Sequence, residues 1–115
     1  MRIAVPTEHD ADERRVALVP EVVRKLSGRG LEVVIERGAG ERALISDAAF
    51  EEAGAVMIDG AEVWKSDAVV TIAPPKPEQI SSMNEGALLV GFLAPLTSAP
   101  TAAAAREAKV TAFAM

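Results

Sequence analysis

The chain has no cysteine. That excludes a disulfide framework and thiolate chemistry. Tyrosine is absent too, and the aromatic side chains are limited to Phe50, Trp64, Phe92 and Phe113. With 50% of the residues hydrophobic, the core must therefore be aliphatic. The single histidine, His9, has no evident nucleophile partner, which leaves no Ser-His-Asp arrangement. Its neighbours Asp10, Asp12 and Glu13 lie on a polar stretch that reads as a solvated acidic loop, so no metal is expected. Twelve lysines and arginines against 17 acids give a net charge of −5, and the cations are scattered. A nucleic-acid surface needs a basic stripe, so nucleic acid is not an expected partner. No apolar run approaches the length of a membrane span; residues 87–93 (ALLVGFL) are strand-sized, so no direct membrane insertion is expected. Glu8, Asp10 and Asp12 arrive too early for a secretory segment, and a cytoplasmic chain is expected.

What is present alternates between two periods. Short apolar strands are expected over residues 2–5, 31–35, 55–58, 68–72, 87–93 and 110–113. Between the first two, Val19, Val22, Val23 and Leu26 recur at the spacing of one helical stripe, opened at Pro20 and stopped by the glycines at 28 and 30. Ser46 or Asp47 is placed to cap a helix carrying Phe50, and Asp59 to cap one holding Val63 and Trp64. Further helices are expected over residues 77–83 and after Ser98. Six strands interleaved with five short helices make a three-layer α/β domain. Its mostly parallel sheet is covered by helices on both faces, a Rossmann-like or flavodoxin-like arrangement over residues 1–115.

Three constellations invite a functional reading. Gly38-x-Gly40-x-x-Ala43 follows a strand, and Asp59 lies near the distance of a ribose-binding acid. The helix opens too late after the glycines, however, and Glu36 and Arg37 sit where the strand should still be apolar. A tight turn before a capped helix is expected, with no genuine dinucleotide fingerprint. Arg15 lies just beyond a strand end, where open α/β sheets meet ligands, and its planar fork suits a carboxylate. A salt bridge to Asp10, Asp12 or Glu13, or an exposed side chain, is the structural alternative. An acidic pocket of the response-regulator type lacks its lysine, since residues 92–95 read FLAP, and Lys76 reads as a solvated loop residue.

Residues 1–8 (MRIAVPTE) and 13–20 (ERRVALVP) resemble the N-terminal signature shared by the alanine dehydrogenases and the NAD-linked subunit of proton-translocating NAD(P) transhydrogenases. The likeness extends along the chain, through GAGE at residues 38–41 to AFAM at 112–115. Two positions separate the branches. Alanine dehydrogenases carry a substrate-contacting lysine where this chain has Ala73, and a histidine acid/base where it has Ala94. An alanine moves no proton. The FLAP wording at 92–95 instead resembles the transhydrogenase subunit.

That resemblance implies an N-terminal part of the NAD(H)-binding alpha subunit of a transhydrogenase, an oxidoreductase that passes hydride from NADH to NADP coupled to proton movement. NAD(H) would bind a downstream Rossmann domain, absent from this chain, and NADP(H) would bind a partner subunit. A homodimer is implied, with membrane and NADP-binding subunits as partners and a peripheral place on the inner membrane. In the alanine dehydrogenases the residue matching Arg15 contacts the substrate carboxylate. No catalytic residue is expected within residues 1–115, cofactor contacts are expected beyond Met115, and the fragment alone is expected to be inactive. An alanine dehydrogenase domain and a non-catalytic scaffold or dimerisation module are the alternatives.

Overall fold

The structure, a computed structural model, describes residues 1–8, 14–72, 75–91 and 106–114. The strands are β1 (Arg2–Val5), β2 (Glu32–Glu36), β3 (Val56–Ile58), β4 (Ala68–Thr71), β5 (Leu88–Gly91) and β6 (Thr111–Ala114). Between them lie α1 (Pro20–Gly28), a 3-10 turn (Glu41–Ala43), α2 (Asp47–Glu52), α3 (Gly60–Val63) and α4 (Pro77–Ser81). Every strand pairing is parallel, and the strands lie in the order β3-β2-β1-β4-β5-β6. The expected α/β sheet is thus realised, in the Rossmann rather than the flavodoxin order. The helix expected after Ser98 begins outside the described residues, as do His9, Asp10, Asp12, Glu13, Ala73 and the stretch 92–95.

Alternation along the strands divides the core into two layers. Val5, Val33 and Ile35 join Val23 of α1 and Phe50 of α2 on one face. Ala4, Val34, Val69 and Leu89 join Val63 of α3, Trp64 and Ile80 of α4 on the other. Burial of both faces explains why β4 reads as an unbroken apolar run. The stripe expected on α1 is only half used. Val23 is fully buried and Leu26 packs at the margin, but Val19 and Val22 remain 43% and 37% exposed. Val19 is the N-cap, still extended, and Val22 lies about 100° around the helix from Val23, past the edge of the sheet contact.

The caps also sort themselves. Ser46 Oγ accepts from Ala49 N at 3.2 Å, so serine rather than Asp47 caps α2. Asp47 Oδ1 instead accepts from Gly38 N at 3.0 Å and fastens the glycine turn to the helix. Asp59 stands at the N-cap of α3 but makes no cap bond with its side chain; it pairs with Arg37.

Candidate functional site

In a sheet of this order the topological switch lies between β1 and β4, and ligands of open α/β sheets meet the carboxyl ends of the strands there. The chain leaves β1 through Pro6, Thr7 and Glu8 and is pinned at once. Thr7 N donates to Glu36 Oε2 at 3.0 Å, tying the loop to the end of β2. Gly60 lies beside that clamp, and a Cβ there would displace the Glu36 carboxylate. Glu8 is 7% exposed, and its Oε2 accepts from Ile72 N at 3.1 Å, just past β4. One buried carboxylate thereby bridges the two strands that flank the switch. Arg42 Nη1 donates to the Glu8 carbonyl at 3.4 Å, drawing in the 3-10 turn.

These contacts leave a pocket of about 80 Å³ lined by Thr7, Glu8, Arg15, Gly38, Ala39, Glu41 and Arg42. Arg15 lines this pocket and is itself exposed. Glu8 and Arg42 were not anticipated. Glu8 had a signal in its place directly after β1. Arg42 had none, since a charged residue in a glycine turn carries no periodicity. None of Glu8, Arg15 and Arg42 is without an interaction of its own. Glu8 also walls a second, smaller pocket with Trp64, Thr71 and Gln79, where Thr71 Oγ1 is buried without a hydrogen-bond partner. Among the described lining residues of the larger pocket there is no histidine, lysine or cysteine. Two guanidinium groups beside two carboxylates suit the binding of a small polar group, and a carboxylate is a group that can exchange a proton.

A dinucleotide does not fit these residues. Pockets that hold molecules of drug size span about 300–1,000 Å³, several times this one. The β1–α1 connection, residues 6–19, contains no glycine with which to approach a pyrophosphate. In this strand order the ribose-binding acid belongs at the end of β2, and the acid there, Glu36, already holds Thr7 N. Asp59, the acid that the spacing had picked out, is occupied by Arg37. The Gly38-x-Gly40 segment is the tight turn that was expected: Gly38 has φ of 82°, and a 3-10 turn rather than a long helix follows. A larger groove of about 510 Å³ exists, lined by Met1, Ser66, Asp67 and Asn84 among others, but at the amino ends of the strands. No group of residues suited to holding a metal ion occurs among the described residues. Nor is any described helix long and apolar enough to cross a membrane.

Comparison with known proteins bears on the same ground. The family model for the alanine dehydrogenase/PNT N-terminal domain matches residues 4–115. An NAD(P) transhydrogenase alpha-subunit chain of Rhodospirillum rubrum is 41% identical over 100% of this chain and 32% of its own length. A crystal structure of transhydrogenase from Sinorhizobium meliloti superposes with a TM-score of 0.89 at 31% identity, covering 99% of this chain and 34% of that one. An L-alanine dehydrogenase structure also gives a TM-score of 0.89 at 31% identity, covering 99% of this chain and 32% of that one. The chain therefore spans about a third of the length of these relatives.

Proposed function

This chain belongs to the alanine dehydrogenase/PNT N-terminal domain family, and on that premise we propose that it is the N-terminal part of the NAD(H)-binding alpha subunit of a proton-translocating NAD(P) transhydrogenase. Its task in the longer protein is to wall one side of the nicotinamide cleft, and Arg15 is its ligand-facing residue. The cofactors carry the chemistry, hydride transfer from NADH to NADP. NAD(H) binds beyond residue 115 and NADP(H) binds a partner subunit. The subunit works as a homodimer, peripheral on the inner membrane through its membrane partners. The observation that carries this reading over its rival is the pair Ala73 and Ala94, which stand where the alanine dehydrogenases place a lysine and a histidine.

Two measurements on the full gene product test the proposal. Reduction of an NADP analogue by NADH is expected, with no alanine-dependent formation of NADH. Alanine-dependent NADH formation would overturn the proposal in favour of the dehydrogenase. Arg15→Ala should lower the rate or the NADH affinity about tenfold, the loss of one charge-assisted hydrogen bond. Unchanged values would remove Arg15 from the site. A scaffold without cofactor chemistry predicts no hydride transfer at all from the complete assembly.

A further inference from the structure

Thr71 ends β4, a strand otherwise built from Ala68, Val69 and Val70, and all four residues are buried. Standing two residues beyond Val69, it shares that residue's face of the sheet, the side of the core that holds Trp64 and Ile80. Valine would suit a buried strand position at least as well. A hydroxyl is buried there instead. Thr71 is 2% exposed, and its Oγ1 has no hydrogen-bond partner among the described residues. Buried polar atoms are nearly always paired, and an orphan lowers stability, so this hydroxyl needs a partner.

Thr71 lines a cavity of about 10 Å³ together with Glu8, Trp64, Pro75 and Gln79 among others. One water molecule occupies about 10–15 Å³ on this measure and needs two to four polar neighbours. The cavity admits one water and nothing larger. Its wall also carries the polar groups, drawn from three parts of the fold. A threonine hydroxyl both donates and accepts. The Glu8 carboxylate, just after β1, accepts from Ile72 N at 3.1 Å, and a carboxylate can accept several bonds at once. On α4, Gln79 Oε1 accepts from Lys76 N at 2.9 Å, so the other polar atom of that side chain is its amide nitrogen, a donor. Trp64 and Pro75, both buried, supply the apolar part of the wall. Apolar cavities of this kind stay dry, whereas one lined by a hydroxyl, a carboxylate and an amide hydrates.

We propose that this cavity binds one ordered water molecule, which partners Thr71 Oγ1 and joins it to the Glu8 carboxylate and the Gln79 amide. The water is a structural ligand that ties α4 to the two strands flanking the topological switch. Glu8 walls both this cavity and the pocket that Arg15 lines, so the water supports a carboxylate that borders the candidate site. The proposal does not depend on the reaction assigned to the longer protein.

The sign of one substitution tests it, read on the full chain. Thr71→Val keeps the shape of the side chain and removes the hydroxyl. With a water bound, that water loses a partner, and the folding constant should fall about fivefold, seen as a lower urea midpoint. In a dry cavity the same change deletes an orphan, and the midpoint should rise. A crystal structure of the unsubstituted chain gives the direct reading: one water within about 3.2 Å of Thr71 Oγ1 is expected. A midpoint that holds or rises in Thr71→Val overturns the proposal. So does an empty cavity in the crystal, or Thr71 Oγ1 bonded to a protein atom in place of water.

Discussion

Gly40 shows how narrowly single residues are specified around the site. Its φ of −92° suits any amino acid, so only space demands glycine: a Cβ would stand 2.7 Å from Ile45 O and from the ring of fully buried Phe50. Gly40→Ala should therefore destabilise the chain by about 1–3 kcal/mol, as overpacking does. Gly28 is the control, because it ends α1 with nothing within 4 Å of the Cβ position. There the same substitution should stabilise by about 0.5–1 kcal/mol, through the unfolded chain and helix propensity. Urea midpoints for the two variants should move in opposite directions. A shared direction would mean that space at Gly40 is not the reason for its glycine. The second test concerns Glu8. Removing its carboxylate as Glu8→Ala strands the amide of Ile72, a residue 7% exposed, at a cost of about 1–3 kcal/mol. Glu8→Gln retains an acceptor oxygen and should recover most of that loss. Equal losses in the two variants would show that the bond to Ile72 is not what Glu8 supplies.

At the scale of elements, short helices depend on their ends. The helix α2 has six residues, too few to persist alone, and is held by the Ser46 cap and by Phe50 beneath it. Ser46→Ala should cost about 1 kcal/mol in chemical denaturation, since Ala49 N loses its acceptor. A cost near zero would mean that Asp47 or solvent takes over the cap. The existence of these elements was legible because apolar period and punctuation agree: Pro20 opens α1, Gly54 (φ 108°) follows α2, and β1 lies at residues 2–5 as expected. What was not legible depends on tertiary placement. Periodicity put Val22 on the buried stripe of α1, and only the position of the helix over the sheet leaves it exposed. Spacing put Asp59 at the N-cap of α3, where it stands, but its carboxylate pairs with Arg37 and makes no cap bond. The candidate site divides in the same way. Arg15 follows from its place after a strand, but Arg42 reaches the pocket only because the glycine turn folds back toward the end of β1. The strand order, which decides where the switch point lies, leaves no trace in local sequence.

For the whole molecule the decisive fact is that one sheet serves two cores. Neighbouring residues of the central strand split between them, Ala4 to the α3–α4 side and Val5 to the α1–α2 side; Val34 and Ile35 do the same on β2. Neither layer can lose its packing without exposing the back of strands on which the other depends. The single tryptophan, Trp64, reports on one layer only. Phe50→Ala empties a site in the opposite layer and should cost about 3–5 kcal/mol. If the chain unfolds as one unit, the midpoint followed by Trp64 fluorescence should fall by the same amount as that followed by circular dichroism. A fluorescence midpoint that holds while the circular dichroism midpoint falls would show two separately melting units. The distinction reaches the site, which is assembled from both layers. Thr7 is clamped by Glu36 at the end of β2, Glu8 grips the amide that follows β4, and Arg42 comes from the turn resting on Phe50. A coincident loss would mean that the elements that place Arg15 hold or fail together. Separate losses would confine that coupling to the α1–α2 side.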